Sequence, residues 1–255
     1  MAETLRRVLN RGSAAGTGEN TAESGPPLLL LGAPGCGKTA LLFAAALEAA
    51  GEGRGPVLFL TRRPLQSLPH GTARTLEPLR LQKIHFQYPP STQELLRFLC
   101  SAHEATGPVP SLLLLDGLEE YLTGDPGCQE AAYLAALLLD TAAHFGHRAG
   151  PNRQCGLMVA LQTQEEADGG DTLQRALVQR YFPAQCWLQA YEAGLGWRGF
   201  QVFLEPGESG PRAEWRVTFR PDGEMTVTPG PNQTREPSLH TSSGSRGQDS
   251  CRTKT

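Results

Sequence analysis

The sequence predicts an α/β protein with a mostly parallel sheet and an antiparallel β extension at its C-terminal end. Two observations favour this class. Short, continuously apolar runs such as Leu28–Leu31 and Leu112–Leu115 alternate with helical patterns, as in parallel strands that are buried on both faces. After residue 200, apolar and polar residues instead alternate one by one, which is typical of antiparallel strands with one solvated face.

Strands are predicted where an apolar or alternating run is bounded by glycine, proline or polar residues. In chain order these runs are Leu28–Leu31, Val57–Thr61, Leu81–Tyr88, Leu112–Asp116, Gly156–Gln162, Gln201–Glu205, Glu214–Arg220 and Met225–Thr228. Helices are predicted where the apolar spacing is helical, at Lys38–Ala50, Ser91–Ala105, Gln129–Arg148 and Thr172–Gln179. Gly51 closes the first helix, and Ser91 with Glu94 forms a capping box that opens the second.

Composition predicts an ordered core at residues 26–228. Among 255 residues there are 29 glycines and 20 prolines, and both ends of the chain are poor in large apolar side chains. Residues 1–25 and 229–255 bury too little surface to offset chain entropy, so we expect both segments to be disordered. The roughly 200 residues between them are enough for one hydrophobic core.

Charge and hydropathy exclude several classes of protein. The formal net charge is −3, so any nucleic-acid surface must be a local group of basic residues. The apolar runs are too short to span a bilayer and the N-terminus has no apolar leader, so we expect neither a membrane partner nor secretion. The six cysteines include no CxxC pair, which argues against a zinc ribbon or a disulfide scaffold.

Large aromatic residues accumulate in the predicted antiparallel extension. Trp197, Phe200, Trp215 and Phe219 lie there, and the remaining sequence offers no obvious element to cover them. We therefore expect an apolar surface that leaves the isolated chain poorly stable and that a partner protein covers.

The segment between the first strand and the first helix carries a nucleotide-binding motif. The pattern G-x-x-x-x-G-K-S/T is matched in full by Gly32, Ala33, Pro34, Gly35, Cys36, Gly37, Lys38 and Thr39, and Ala40 continues into the helix. In this motif, backbone N–H groups and a helix N-terminus surround phosphate oxygens. We expect Lys38 to contact the β- and γ-phosphates of ATP, and the Thr39 hydroxyl to coordinate Mg²⁺. The alternative interpretation is a glycine/proline turn without a ligand.

The apolar run Leu112–Asp116 is the second predicted element of this site, because it ends in a carboxylate. In P-loop proteins such a strand brings an aspartate to the Mg²⁺ shell, so Asp116 is a predicted metal ligand beside Thr39. Two predicted strands lie between the P-loop strand and this one. That order favours a RecA-like P-loop core over the small-molecule kinases.

With these motifs in place, the stretches LLLLDGLEEYL (112–122) and MVALQTQEE (158–166) resemble the RecA recombinase family, and within it the eukaryotic recombinase paralogues. The resemblance extends over residues 25–228. It implies a Mg²⁺-dependent, DNA-stimulated ATPase that binds single-stranded DNA in homologous recombination repair in the nucleus. It also implies partners, namely a SWIM-type zinc-finger protein in a heterodimer and the recombinase with its paralogues.

Two departures from the family pattern affect the expected activity. The family places its catalytic glutamate just after the second strand, whereas residues 58–63 contain no carboxylate. Glu119 or Glu120 is a candidate substitute, and a pair of acids on a solvated loop is the alternative interpretation, so we expect slow turnover. The family's N-terminal helical domain has no counterpart in residues 1–25, which favours an accessory subunit over a filament former.

Gln162 completes the candidate catalytic set of Lys38, Glu119 and Glu120. It ends the predicted strand Gly156–Gln162, where the resemblance implies a polar residue that senses the γ-phosphate. The alternative interpretation is an ordinary glutamine at a strand end.

Basic residues concentrate in one stretch that is a candidate DNA-binding surface. This stretch, the Arg62–Lys83 segment, contains Arg62, Arg63, Arg74, Arg80 and Lys83. The aromatic residues Phe86 and Tyr88 follow closely, and arginines with aromatic neighbours suit the recognition of single strands by stacking. The alternative interpretation is a solvated rim with both aromatic side chains in the core.

These observations leave two leading hypotheses for function. The first is a DNA-stimulated ATPase subunit of a recombinase-paralogue complex. The alternative is a non-hydrolysing scaffold subunit that stabilises recombination partners, which the missing carboxylate after the second strand favours.

Overall fold

The computed structural model describes residues 1–10, 25–51, 55–67, 77–122, 128–151, 153–163, 169–192, 198–207, 211–219 and 225–230. Its strands are β1 (Leu28–Gly32), β2 (Val57–Thr61), β3 (Ile84–Gln87), β4 (Leu112–Asp116), β5 (Gly156–Gln162), β6 (Ala184–Glu192), β7 (Arg198–Glu205), β8 (Ala213–Phe219) and β9 (Met225–Pro229). Its helices are α1 (Ala2–Asn10), α2 (Lys38–Gly51), α3 (Pro78–Leu81), α4 (Thr92–Ser101), α5 (Cys128–Ala149) and α6 (Gly169–Tyr181).

One sheet joins the nine strands of the described residues in the order β3-β2-β4-β5-β1-β6-β7-β8-β9. The pairs from β3 to β6 are parallel, and the pairs from β6 to β9 are antiparallel. This arrangement confirms the predicted parallel sheet with an antiparallel extension. In the parallel part, the carboxyl ends of β1, β2, β4 and β5 lie at the same edge of the sheet.

Helices cover both faces of the sheet, which explains why β1 and β4 are apolar at nearly every position. Leu28 and Leu30 of β1 pack on the face covered by α1 and α2, whereas Leu29 and Leu31 pack against α4, α5 and α6. Ser91 caps α4 as the sequence predicts, because its Oγ accepts a hydrogen bond from the Glu94 N–H at 3.3 Å. None of the helices in the described ranges has both the length and the apolar composition of a membrane span.

The expectation of a disordered N-terminal segment is wrong for its first ten residues. Ala2–Asn10 forms α1, whose Leu5 and Leu9 are fully buried against α2 and the sheet. The Asn10 Oδ1 accepts a hydrogen bond from the Trp215 Nε1 of β8 at 3.0 Å. Apolar residues at helical spacing therefore find a tertiary partner that the sequence of this segment does not reveal. Residues 11–24 and 231–255 lie outside the described residues.

The aromatic residues of the extension are also covered, contrary to expectation. Trp215 is 2% exposed, and Phe200 and Phe219 are buried in the same core as α1 and α2. Trp197 lies outside the described residues. The missing cover is α1 together with the P-loop region, so the structure has no exposed aromatic surface at these three side chains.

Two strands differ from the sequence prediction. β6 was not predicted, although its buried Ala184, Cys186 and Leu188 alternate with less buried neighbours as a strand requires. The predicted strand Leu81–Tyr88 is shortened to β3 because Pro78 opens the short helix α3. On β3, Ile84 is buried as expected.

We predict that α1 contributes substantially to stability. Leu5→Ala removes a fully buried side chain between α1 and α2, so the free energy of unfolding is expected to fall by about 2–5 kcal/mol. Urea unfolding followed by circular dichroism measures this change. As a control on the same helix, Glu3→Ala alters an exposed side chain and is expected to change stability by less than about 0.5 kcal/mol. Equal, small effects of both variants would contradict the packing role of α1.

Candidate nucleotide-binding site

The P-loop lies where β1 ends and α2 begins, at the sheet edge that collects the carboxyl ends of the parallel strands. Gly32 is the last residue of β1 and Lys38 is the first residue of α2. Because α2 has 14 residues and starts inside the loop, the partial positive charge of its N-terminus adds to that of Lys38. The sequence prediction of a strand–loop–helix unit at this motif is confirmed.

Lys38 is buried within the loop rather than extended into a solvated cleft. Its side chain is 8% exposed, and its Nζ donates hydrogen bonds to the carbonyl oxygens of Gly32 and Ala33, each at 2.8 Å. The Cys36 Sγ lies 3.6 Å from the same Nζ. Uncharged acceptors alone surround this ammonium in these contacts, so an anionic phosphate is the type of ligand that matches it.

Two glycines give the loop its shape. A Cβ on Gly32 would lie 2.5 Å from the Cys36 Sγ and 2.6 Å from the Leu188 carbonyl oxygen, so a side chain does not fit there. Gly37 has a φ of 87°, which L-residues rarely adopt. Its missing Cβ would lie 3.4 Å from the Phe200 ring and 3.6 Å from the Phe219 ring. The antiparallel extension therefore packs directly under the P-loop.

The Thr39 and Asp116 side chains meet across the site, as the sequence predicts for two ligands of one metal ion. The Thr39 Oγ1 donates a hydrogen bond to the Asp116 Oδ2 at 2.7 Å. Burial raises the pKa of the Asp116 carboxyl above its ordinary value, and the Thr39 hydrogen bond and the Lys38 charge oppose that rise. A hydroxyl and a carboxylate are the hard oxygen donors that Mg²⁺ prefers, so the donor set fits this ion.

Glu119 and Glu120 lie on a 3₁₀ turn, Leu118–Tyr121, and point in different directions. The Glu119 Oε2 accepts a hydrogen bond from the Gln162 backbone N–H at 2.8 Å. Burial raises the pKa of the Glu119 carboxyl, and the Lys38 charge lowers it, which places this carboxyl within the field of the P-loop. Glu120 instead faces Arg63, whose Nε is 3.7 Å from its Oε2. Of the two candidates, Glu119 is the one turned towards the nucleotide site.

Gln162 ends β5 directly beside the P-loop strand, in register with Gly32. Its backbone N–H holds the Glu119 carboxylate, and the next residue, Thr163, donates its N–H to the Gly32 carbonyl oxygen at 3.0 Å. The main chain of β5 therefore links Glu119 to the P-loop.

The Arg62–Lys83 segment does not form one basic surface, which corrects the sequence expectation. Arg62 and Arg63 follow the carboxyl end of β2, beside the nucleotide site. Lys83 precedes β3 at the opposite edge, about 16 Å away for a strand of this length. The reason is that spacing along the sequence does not reveal which end of a strand a residue occupies. Arg74 lies outside the described residues.

Arg80 and Lys83 bind the last turn of α2. The Arg80 Nη1 donates to the Leu47 carbonyl oxygen at 3.4 Å, and its Nε pairs with Glu77 at 3.0 Å. The Lys83 Nζ donates to the Ala50 carbonyl oxygen at 3.2 Å. Cations at a helix C-terminus satisfy unpaired carbonyl groups and complement the helix dipole, so both residues have a structural role.

At the nucleotide edge, the remaining candidates differ from each other. Arg62 donates from Nη1 to the Glu120 carbonyl oxygen at 2.7 Å and from Nε to the Pro90 carbonyl oxygen at 3.0 Å. The Arg63 side chain is 83% exposed. Tyr88 is 42% exposed, and its ring stacks on Phe86 with centroids 6.2 Å apart. The interpretation with both aromatic rings in the core is therefore wrong for Tyr88.

The chain is similar to two curated proteins that carry the name ATPase SWSAP1. The Homo sapiens protein is 73% identical over 225 residues, which cover 88% of this chain and 98% of that protein. The chain belongs to the ATPase SWSAP1 family. The Mus musculus member is 66% identical over 230 residues, covering 90% of this chain and 82% of that protein. No family model matches the chain.

Solved structures share the fold of this SWSAP1-family chain. A DnaB-like replicative helicase, solved for its interactions with primase, matches with a TM-score of 0.56 and 11% identity, covering 89% of this chain and 68% of that one. A second solved structure, of an isolated ATPase domain, matches with a TM-score of 0.55 and 12% identity, covering 88% and 97%. At these identities the likeness concerns the fold alone. The prediction of a RecA-like P-loop ATPase is confirmed.

Sequence reasoning missed the aromatic floor of the P-loop in this SWSAP1-family protein. Phe200 and Phe219 are distant from Gly37 in sequence, and their rings meet edge to face with centroids 5.7 Å apart. The available signal was the pair of glycines in the loop, which indicates close approach of other atoms without naming them.

We predict that the Asp116 carboxylate destabilises the ligand-free protein at neutral pH. Because burial raises its pKa above the ordinary 3.8, the folded state binds this proton more tightly than the unfolded state does. The stability associated with that proton is complete below pH 3.8 and is lost as the pH rises through the raised pKa. Asp116→Asn keeps an acceptor for Thr39 and removes the charge, so it is expected to melt at a higher temperature than wild type at about pH 7.

Thermal unfolding at about pH 7 and below pH 3.8 measures this difference, which is expected to disappear at the lower pH. Asp140→Asn, on the exposed side of α5, is the matched control and is expected to melt like wild type. A lower melting temperature of Asp116→Asn at neutral pH would show that the carboxylate stabilises the fold.

Proposed function

We propose that this chain is a slow, DNA-stimulated ATPase subunit of a nuclear homologous-recombination complex. The observation that carries the proposal is the hydrogen bond between the Thr39 Oγ1 and the Asp116 Oδ2 at 2.7 Å, directly beside the buried Lys38 ammonium. A hydroxyl, a carboxylate and a lysine in that arrangement are the groups that an ATP·Mg²⁺ complex needs at its phosphates.

Each residue of the site has a defined task in ATP hydrolysis. Lys38 exchanges the carbonyl oxygens of Gly32 and Ala33 for phosphate oxygens, which bind an ammonium more strongly because they are charged. The N-terminus of α2 stabilises the same negative charge. Thr39 and Asp116 would hold Mg²⁺, which when bound neutralises the charge of the β- and γ-phosphates.

Glu119 is the residue that we assign to the attacking water. Burial raises its pKa, which makes the carboxylate a better proton acceptor than an exposed glutamate. The Gln162 N–H fixes one of its oxygens and leaves the other for a water molecule. Since residues 61–64 after β2 read Thr-Arg-Arg-Pro, no carboxylate is present at the family's usual place. We therefore expect a low rate.

Single-stranded DNA is proposed to bind at the corner formed by the ends of β2 and β3. Arg63 supplies an exposed guanidinium there, and Tyr88 supplies an exposed ring already stacked on Phe86. The parallel register that pairs Leu60 with Gln87 brings the two residues to the same corner. A phosphate contact beside a stacking platform suits sequence-independent binding of single strands.

Partner binding is proposed at the outer edge of β3. Within the described part of the chain, this strand ends the sheet, so its outer backbone groups have no neighbouring strand. An open apolar cavity of about 280 Å³ lies between β2, β3, α4 and α5, and Val57, Phe98 and Phe145 are among its lining residues. An added strand with one large apolar side chain matches both features. The proposed partners are the SWIM-type zinc-finger protein, the recombinase and its paralogues.

A second candidate function is a scaffold that binds nucleotide without hydrolysing it. The absence of a carboxylate directly after β2 favours it. Single-turnover hydrolysis, measured with and without single-stranded DNA, separates the two candidates because a scaffold produces no phosphate in either condition.

Lys38→Ala is expected to reduce hydrolysis to background. The change removes the ammonium that faces the phosphates, which corresponds to a loss of at least about 100-fold in rate. Single-turnover release of phosphate measures the effect, and circular dichroism checks the fold. Lys83→Ala removes a lysine at the opposite edge and serves as control, with a rate within about twofold of wild type. Unchanged hydrolysis in Lys38→Ala would contradict the assignment of the site.

Single-stranded DNA binding is expected to depend on Arg63 and Tyr88. With about four phosphate contacts, the logarithm of affinity falls with the logarithm of salt concentration at a slope near ~−3. Arg63→Ala is expected to reduce that slope by about 1, and Tyr88→Ala to weaken binding at every salt concentration. Fluorescence anisotropy measures both. If Lys83→Ala instead changes the slope and Arg63→Ala does not, the surface lies at the other edge of the sheet.

A further inference from the structure

We propose that Arg62 is a positioning residue for ATP hydrolysis. Its guanidinium joins the turn Leu118–Tyr121, here named the Glu119 turn, to the connection Pro89–Ser91 between β3 and α4. The proposal rests on the proposed function, in which Glu119 acts on the attacking water. It replaces the sequence-based assignment of Arg62 to a DNA-binding surface.

The geometry of Arg62 is that of a bridge between two main-chain segments. Its Nη1 donates to the Glu120 carbonyl oxygen at 2.7 Å, and its Nε donates to the Pro90 carbonyl oxygen at 3.0 Å. Both of these nitrogens are therefore engaged by acceptors within the protein. An arginine that contacts nucleic acid would need those same donors for phosphate oxygens.

Further hydrogen bonds join the same two segments. The Tyr121 hydroxyl donates to the Pro89 carbonyl oxygen at 2.9 Å, and the Thr92 Oγ1 donates to the Tyr121 carbonyl oxygen at 2.7 Å. Leu118 and Tyr121 are fully buried. Arg62 thus binds the turn at Glu120, next to Glu119, while Tyr121 anchors the following position.

The position of the turn determines where the Glu119 carboxylate lies. On one side of Glu119 the Arg62 guanidinium holds the neighbouring carbonyl, and on the other the Gln162 N–H holds the carboxylate at 2.8 Å. Without Arg62, the Glu120 and Pro90 carbonyl groups would bind water and would lose the guanidinium that links them. A displacement of about 1 Å is enough to lower the rate of a reaction that depends on an oriented water.

Arginine is required at this position because two separate nitrogens act on two acceptors. A lysine has one donor atom and can contact one carbonyl at a time with good geometry. Arg63, the next residue, has a different task, because its side chain is exposed and its contact with the Glu120 carboxylate at 3.7 Å is a surface ion pair of small energy. The two neighbouring arginines therefore make a charge-matched comparison.

The test uses hydrogen exchange at the Gln162 amide in the full chain, because this N–H donates to Glu119 and reports where the carboxylate lies. Arg62→Ala is expected to speed exchange at this amide at least about tenfold, and Arg62→Lys less. Arg63→Ala is expected to keep the wild-type protection. If Arg62→Ala does not fold, Arg62→Lys alone decides, since it too is expected to exchange faster than Arg63→Ala.

Single-turnover hydrolysis without DNA supplies the second readout. Arg62→Ala is expected to lower the rate constant about tenfold while the affinity for ATP stays within about twofold. Arg97→Ala, an exposed arginine of α4, is the control for the rate and is expected to match wild type. Wild-type protection of the Gln162 amide in Arg62→Ala would overturn the proposal. So would a variant that loses only DNA binding.

The two readouts separate this proposal from the proposed function. If wild-type protein hydrolyses ATP no faster than Lys38→Ala, the proposed function fails, and the exchange experiment still decides whether Arg62 positions Glu119. If hydrolysis is real but exchange at Gln162 is the same in all variants, the proposed function stands and the role of Arg62 is refuted.

Discussion

The close packing around Gly32 is the constraint on which the rest of the site depends. No side chain fits at this residue, because the Cys36 Sγ and the Leu188 carbonyl oxygen occupy the space within 2.6 Å of where a Cβ would lie. The Gly32 carbonyl oxygen accepts hydrogen bonds from both the Lys38 Nζ and the Thr163 N–H. The P-loop, the end of β5 and strand β6 therefore meet at one main-chain position, and phosphate binding by Lys38 directly affects the group that also holds β5.

The segments outside the parallel sheet support this site. Phe200 and Phe219 of the antiparallel extension lie under Gly37, and α1 covers Trp215 of the same extension and accepts its hydrogen bond through Asn10. A change at α1 can therefore reach the P-loop through two packed layers without any contact with nucleotide. This arrangement explains why the aromatic residues of the extension are buried without a partner protein.

Local patterns in the sequence predicted the parts of the molecule that local interactions determine. The β1–loop–α2 unit and Asp116 follow from a motif and from apolar runs, and Ser91 caps α4 through its own neighbour Glu94. Features that depend on distant partners were not predictable in this way. The order of β6 beside β1, the burial of α1, and the separation of Arg62 from Lys83 each require knowledge of which elements pack together.

The proposed function depends most on one claim, that Thr39 and Asp116 together bind the Mg²⁺ of a nucleotide. Calorimetric titration with ADP, in Mg²⁺ and in EDTA, tests it most directly on wild type, Thr39→Val and, as a control, Thr141→Val, whose hydroxyl bonds within α5. We expect Mg²⁺ to strengthen ADP binding to wild type and Thr141→Val, and to have little effect on Thr39→Val, whose affinity in EDTA stays near that of wild type. An undiminished Mg²⁺ effect in Thr39→Val would contradict the claim.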